Sequence, residues 1–282
     1  MISIITAIYN QLDMNKLYWE YLLKYTTTPF ELIIIDNNST DGSREFFQSL
    51  PIDVVKVIAN DRNYSYPHCQ NQGIAVAKYD ILVFFNNDLL VSPQWDVRLL
   101  EVLRHDKREL VSFASNDRLC NSAETKKISR RWKRIKYAVM FFGGQRRFSL
   151  QLMHRLCYGN WEKYCEKVFN RHGFSCTIGF SGSAIAATRS AIEKLAMWDK
   201  TQQGADFNLF YSSCFRAETT NDIQPMATIN GIFIHHYRRL TLYGEKYPPF
   251  ADLQNLKTWE DNWTVEQLQR WNKYIQDFKK EL

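Results

Sequence analysis

No C-x-x-C pair occurs among the six cysteines, Cys69, Cys120, Cys157, Cys165, Cys176 and Cys214. A chain of 282 residues buries enough apolar surface to hold its fold without disulfide staples, so free thiols are expected. No apolar run approaches the roughly 20 residues that a membrane-crossing helix needs. The start, MISIITAIYN, is apolar but lacks a basic n-region and a small-residue cleavage site. It reads as a first strand, and the chain is expected to stay in the cytoplasm. Neither G-x-G-x-x-G nor G-x-x-x-x-G-K-S/T is present, which removes the dinucleotide fingerprint and the P-loop. Internal repeats and low-complexity stretches are absent too.

Acidic residues are missing from one long segment. Between Thr125 and Trp161 stand ten cations (Lys126, Lys127, Arg130, Arg131, Lys133, Arg134, Lys136, Arg146, Arg147, Arg155) and no Asp or Glu. The remainder carries 26 basic against 30 acidic residues, a net of −4, so this segment alone brings the chain to +6. Its cations are interleaved with Trp132, Ile135, Tyr137, Met140, Phe141 and Phe142. That mixture suits an anionic membrane surface or a phosphate-bearing ligand, and equally a solvated helix face.

Among the features that are present, Ile81 to Asp88, ILVFFNND, is the most informative: it runs apolar for five residues and stops at Asn86, Asn87 and Asp88. A buried parallel strand reads as a continuous apolar run, and ligands of open α/β sheets bind at the strands' carboxyl ends. Asp88 is therefore placed as a site residue facing a crevice. Ile2 to Ile8 is a strand, followed by the polar turn Tyr9 to Gln11 and a helix marked by Leu17, Tyr21 and Leu22 to Tyr25. Glu31 to Ile35 is the second strand; it runs into DNNSTDGS, where Ser43 is expected to cap a helix over Arg44 to Leu50. Val54 to Ile58 is a third strand, Pro67 to Lys78 a helix, and Ser92-Pro93 a helix start. This alternation predicts an α/β fold with a doubly wound, mostly parallel sheet. Two strands end in an acid, Asp36 and Asp88. A site with carboxylates and no glycine cradle holds phosphate most economically through a divalent cation that bridges Asp88 to a diphosphate.

Four motifs in order carry a family resemblance. TAIYN at Thr6 to Asn10, LIIIDNNSTDGS at Leu32 to Ser43, NYSYPHCQNQGI at Asn63 to Ile74 and FFNNDLLVSPQW at Phe84 to Trp95 resemble family-two glycosyltransferases of the GT-A fold, of the bacterial cell-surface polysaccharide type. The resemblance covers residues 1 to 100 strongly and 175 to 245 more weakly. It implies that Thr6, Ile8 and Asn10 border the base, that Asp36 contacts a uracil or thymine ring, and that Asn63 and Asn71 lie beside the nucleotide. Asn86 and Asn87 join that nucleotide-binding set. Asp88 matches the last residue of the family's Asp-x-Asp motif, which ligates the metal, Mn²⁺ or Mg²⁺; Asn86 stands where that motif begins with an acid.

In the second half, Gly179 to Arg189 resembles the family's acceptor-side strand, and Gly204 to Leu209 is similar to its Glu-Asp-x-Asp-Leu run, with Ala205 and Asn208 replacing two acids. Asp206 aligns with the general base. A carboxylate is apt there, because an acceptor hydroxyl must lose a proton as it attacks the anomeric carbon. His235-His236, after the strand Ile229 to Ile234, resembles the late histidine that reaches the metal or diphosphate. Adjacent strand residues point to opposite faces, so one of the two serves, with His235 the first choice. Imidazole beside carboxylate oxygens suits Mn²⁺ better than Mg²⁺. Arg238, Arg239 and Thr241 follow on a loop that covers the diphosphate in relatives.

The tail carries a capping box, Thr264 to Gln267, and an apolar stripe of Leu268, Trp271, Ile275, Phe278 and Leu282 that is expected to pack on the protein's own core. The expected organisation is a nucleotide-sugar-binding half (1–120), a basic and aromatic helical insert (121–174), an acceptor-side half (175–245) and a C-terminal helical tail (246–282). The expected activity is metal-dependent, inverting transfer of a hexose-type sugar from a UDP- or dTDP-sugar to a hydroxyl of a glycan or lipid-linked glycan. The protein is expected to sit in the cytoplasm or on the inner face of the membrane, with no nucleic-acid partner. Two alternatives stand beside this one. A nucleotidyltransferase on a related fold needs a glycine- and basic-rich loop that Tyr9 to Asn15 lacks, and a non-catalytic nucleotide-sugar-binding module is favoured by Asn86, Ala205 and Asn208.

Overall fold

The computed structural model describes residues 1–105, 108–238, 248–255 and 257–275. Its first hundred residues alternate short apolar strands with helices: β1 (Ile2–Ile8), α1 (Leu12–Tyr25), β2 (Phe30–Asp36), α2 (Ser43–Gln48), β3 (Val55–Ala59), α3 (Tyr66–Val76) and β4 (Ile81–Phe85). Next come β5 (Leu89–Leu90), α4 (Trp95–His105), β6 (Leu110–Ser115) and three successive helices, α5 (Ser122–Gly143), α6 (Arg147–Tyr158) and α7 (Trp161–His172). The chain returns through β7 (Cys176–Ile178), β8 (Ala184–Thr188), α8 (Arg189–Lys194), β9 (Gln202–Gln203), α9 (Ala205–Thr219) and β10 (Ala227–His236). It closes on β11 (Lys257–Thr258), which pairs with β9, and α10 (Val265–Asn272).

The main sheet has the order β3-β2-β1-β4-β8-β6-β10-β5, with β7 also paired to β10. β1 to β4, β6 and β10 share one direction, and β8 runs against them between β4 and β6. This is the expected α/β architecture with a mostly parallel sheet. Side chains alternate across each strand. Ile4, Val83 and Val111 enter a core shared with α1 and α4 to α7, whereas Ile5, Phe84 and Ile185 enter a second core under α3, α8, α9 and α10. Each fully buried aromatic or aliphatic side chain in these layers stabilises the fold by about 1.5–3 kcal/mol.

Local chemistry differs from the sequence reading at α2. Gly42, with φ 90°, takes the cap position, and Ser43 is the first helical residue. Its hydroxyl instead accepts a 2.9 Å hydrogen bond from Asn15 Nδ2. The tail behaves as expected: Thr264 and Gln267 form the capping box, and Trp271 and Ile275 are buried in the second core. Phe278 and Leu282 lie outside the described residues. All six cysteines are free. Among the described residues no helix is long and apolar enough to cross a membrane.

Candidate active site

Residues that follow β4 and β6 meet the end of β10 at His236. Because β5 pairs antiparallel with β10, with Leu89 opposite His236, the residue before β5 is brought against the end of β10. Asp88 thus lies with Oδ1 3.1 Å from His236 Nε2, and its carbonyl accepts from Tyr237 N. The neighbouring strand β6 is followed directly by Asn116-Asp117. Asn116 clamps the His236 backbone through two 2.8 Å hydrogen bonds, and Asp117 Oδ2 meets His236 Nδ1 at 2.5 Å. Burial by itself would lower the pKa of His236, but Asp88 and Asp117 outweigh it and hold the imidazolium up to about 10. Arg238 Nε reaches the other Asp117 oxygen at 2.7 Å. Arg239 and Thr241, expected on the same loop, lie outside the described residues.

Amide side chains tie the first strands to this end of the sheet. Asn87 Nδ2 donates to Asn15 Oδ1 at 2.7 Å, and Asn15 Nδ2 donates to the Asn10 carbonyl at 2.9 Å. Asn10 holds the loop after β2 through Thr40 N and Ser39 Oγ. Asn10 and Gln11 take positive φ values of 54° and 73°, so the turn after β1 bends sharply into α1.

Asp206 enters from the other half. It sits in the first turn of α9, and its carboxylate packs so closely on Gly182 that a Cβ there would lie 2.0 Å from Oδ2. Gly182 belongs to the loop before β8, which joins the Asn86 turn: Asn86 N donates to the Ser183 carbonyl at 3.0 Å. A hydroxyl chain from Ser115 through Ser181 to Ser183 connects the same loop to the end of β6. Burial raises the Asp206 pKa to about 6, against the opposing pull of the backbone N–H groups of Phe207 and Asp206. A carboxylate with that value is poised as a proton acceptor near neutral pH.

The family model described as Glycosyl transferase family 2 matches residues 3–169, more than half of the chain. The chain belongs to glycosyl transferase family 2. It is similar to glycosyltransferase GlyG of Streptococcus pneumoniae serotype 4 (strain ATCC BAA-334 / TIGR4), with 26% identity over 113 residues, 39% of this chain and 38% of GlyG. The match therefore spans well under half the length of that relative. Among solved structures, the mannosyltransferase PcManGT from Pyrobaculum calidifontis aligns with 88% of this chain and 66% of its own at a TM-score of 0.53 and 13% identity. GalNAc-T7 aligns with 99% of this chain and 50% of its own at a TM-score of 0.59 and 14% identity. These two likenesses concern the fold.

Within this family 2 chain, several residues read as nucleotide or metal contacts point elsewhere. Thr6 is fully buried, its hydroxyl 2.7 Å from Tyr18 OH, and Ile8 is core packing on the same side of the sheet. Strand phase turns both toward the inner face of α1. Asn71 spends its amide on the backbone of Trp198, at 2.7 and 3.1 Å, and so fastens α3 to the second half. Asn63 donates to the Pro248 carbonyl at 2.8 Å. Asp36 is wholly buried and held by Arg44 Nε at 2.6 Å and by Ser39 N, so it organises the loop after β2 and presents no exposed oxygen. His235 lies on the opposite face from Asp88, with Nδ1 2.8 Å from Tyr158 OH and its ring against Trp132. Burial keeps its pKa well below the ordinary histidine value. The histidine at Asp88 is His236, not His235. Asp88 is itself 7% exposed, more enclosed than a strand-end acid facing an open crevice.

Asp117 and Asn116 escaped the sequence reading. The signal existed, since LVSFAS is an apolar run that stops at Asn116-Asp117 as ILVFF stops at Asn86 to Asp88. Among the described residues no group of three or more His, Cys, Asp or Glu is arranged to hold a metal by itself. Once a metal displaces the Nε2 proton that the two carboxylates hold in its absence, Asp88 Oδ1 and His236 Nε2 make a paired oxygen and nitrogen donor set, and Asp117 on the other ring nitrogen is the carboxylate–histidine support common behind metal ligands. That pair fits a divalent cation which draws its remaining ligands from a substrate.

Proposed function

We propose that this protein is a metal-dependent glycosyltransferase that moves a sugar from a nucleoside diphosphate donor to a hydroxyl of a glycan or lipid-linked glycan. The observation that carries the proposal is the joining of Asp88 with His236, through one short loop, to Asp206 at the same end of the sheet. PcManGT is described in complex with GDP-Man and Mn²⁺, and GalNAc-T7 with UDP, GalNAc and Mn²⁺, which supports a nucleotide sugar and a divalent cation here.

Asp88 and His236 would hold the cation, with Asp117 orienting the imidazole. When bound, that cation supplies neutralisation of the charge on the departing diphosphate. The protein's own groups do the rest. Asp206 accepts the proton of the acceptor hydroxyl as its oxygen forms the new bond to the anomeric carbon. The bond to the diphosphate breaks with its electron pair on the leaving oxygen, inverting the centre in one displacement. The Asn87–Asn15–Asn10 chain fixes the strand-end turns, so that little reorganisation is needed when the donor arrives.

Incubation of the protein with a panel of nucleotide sugars and Mn²⁺, with and without simple sugar acceptors, tests this reading. Release of nucleoside diphosphate from at least one donor is expected. A donor that raises the melting temperature but is never cleaved would indicate the competing reading, a binding module, to which Asn86, Ala205 and Asn208 lend support.

A further inference from the structure

We propose that the hairpin of α5 and α6 is a membrane-docking surface for anionic phospholipid, in which aromatic side chains at its tip enter the interface and cations along α5 bind the headgroups. This surface lies outside the proposed catalytic groups, and the inference stands or falls independently of the transfer chemistry.

The inner face of α5 is committed to the fold. Ser129, Trp132 and Lys136 are buried; Trp132 packs on His235 and Tyr237, and Lys136 Nζ donates to the carbonyls of Tyr237 and Arg238. The outer face has a different composition. Lys127, Arg130, Arg134, Tyr137 and Phe141 recur at spacings of three and four, which sets them on one side of the helix, and all are exposed. Phe141, Phe142 and Phe148 are 83%, 87% and 73% exposed at the turn between α5 and α6.

Three phenylalanines in water at one tip are costly for a surface with no partner, and such patches mark interaction sites. The cations choose the partner. No acid occurs between Thr125 and Trp161; two acids of α1 are engaged by Arg147, whose backbone N–H binds Asp13 and whose guanidinium binds Glu20, and Asp41, which shares a cavity with Gln145, accepts from the backbone N–H groups of Leu12 and Ser43. A protein partner with an apolar groove would not call for an uninterrupted positive face, whereas an anionic bilayer matches both parts, headgroups to the Lys and Arg and the acyl boundary to the rings.

Docking in this way also places the crevice. Gln145, in the hairpin turn, lines a cavity of about 290 Å³ together with Asn10, Gln11 and Asp41, at the carboxyl ends of β1 and β2. The tip is thus at the same end of the sheet as Asp88 and His236, and the opposite face of α5 grips the backbone that follows His236. A protein seated on its tip turns the strand ends toward the bilayer.

Flotation of the full chain with vesicles tests the inference. Phosphatidylcholine vesicles are compared with vesicles that also contain phosphatidylglycerol, at low and high salt. Recovery with the anionic vesicles at low salt, and release at high salt, is expected. Phe141→Ser/Phe142→Ser/Phe148→Ser and, separately, Lys126→Gln/Lys127→Gln/Arg130→Gln/Arg134→Gln should each lower the bound fraction at least about tenfold. All these positions are exposed, and unchanged thermal melting confirms that the variants fold. Absence of binding to anionic vesicles overturns the proposal, as does full binding by the triple serine variant. Preferential capture by duplex DNA assigns the face to nucleic acid instead. Concentration-dependent dimers that the serine variant abolishes, without vesicle binding, assign it to a second copy of the chain.

Discussion

The Nε2 atom of His236 stands 3.1 Å from Oδ1 of Asp88, and the pairing of β5 with β10 is what brings them together. The imidazole is held between this carboxylate and Asp117, so its charge and its orientation are both set by groups from other strands. The consequences can be measured one residue at a time.

Asp88→Asn keeps the shape of the side chain but removes a charged donor. Turnover with Mn²⁺ should fall by about 10²-fold or more, since an amide ligates a divalent cation far less well than a carboxylate. Retained turnover with an unchanged Mn²⁺ requirement would take Asp88 out of the mechanism.

The two adjacent histidines should separate cleanly. His235→Ala removes a ring packed on Trp132 and Tyr158 and is expected to cost about 2–4 kcal/mol of stability, with the Mn²⁺ concentration for half-maximal activity unchanged. His236→Gln should instead shift that Mn²⁺ concentration upward. Thermal melting and metal titration of both variants give the comparison, and the reverse pattern would restore His235 as the metal-side residue.

Asp117→Asn tests positioning. The acid fixes the Nδ1 side of His236, and loss of such a partner typically weakens metal binding by about 10–100-fold. The expected readout is a raised half-saturating Mn²⁺ concentration, with maximal turnover recovered at high Mn²⁺. A fall in turnover that no amount of Mn²⁺ restores would give Asp117 a different role.

Asp206 carries a pH signature. With its pKa raised to about 6, turnover should decline below about pH 6 as the base protonates, and Asp206→Asn should lower it by about 10²-fold at neutral pH with donor KM little changed. The stability effect has the opposite sense to that of a salt-bridged acid. The folded state holds its proton more tightly than the unfolded chain, so this group favours folding most at low pH, and its contribution declines as pH rises from about 4 to about 6. Above that window Asp206→Asn should therefore stabilise the protein, by about 3 kcal/mol at most. Denaturant melts of both proteins across that range show whether the difference grows with pH; a constant difference refutes the shift.

Gly182→Ala provides an independent check on the same carboxylate. A methyl group there would lie 2.0 Å from Asp206 Oδ2 and must displace it. Activity should drop nearly as far as in Asp206→Asn, and an alanine variant with normal turnover would show that the position of this carboxylate is not critical.

Much of the framework was legible locally. Continuous apolar runs with abrupt polar stops marked β1, β2 and β4, and a run with its polar stop is a property of adjacent residues, so Asp88 could be placed at a strand end from sequence alone. The capping box at Thr264 and Gln267 was readable for the same reason. Four ordered motifs pointed to the family that residues 3–169 then matched.

What remained depended on which strands became neighbours and on which face each residue took. Alternation along a strand dictates that only one of His235 and His236 can meet Asp88, but α5 and α6 decide which, by covering one face of β10 with Trp132, His154 and Tyr158 and leaving His235 no exit. The same phase rule turns Thr6 toward Tyr18. Asp117 needed β6 to lie beside β10 before its strand-end position acquired a partner, and Asn71 needed the second half of the chain to supply the Trp198 backbone. The basic segment was plain in the sequence, yet only the packing of α5 divided it into a buried Lys136 that binds carbonyls and an exposed face that ends in three phenylalanines. Residue type and local pattern are carried by the chain itself; the sign and partner of each interaction arise only when burial removes water and leaves a single neighbour to replace it.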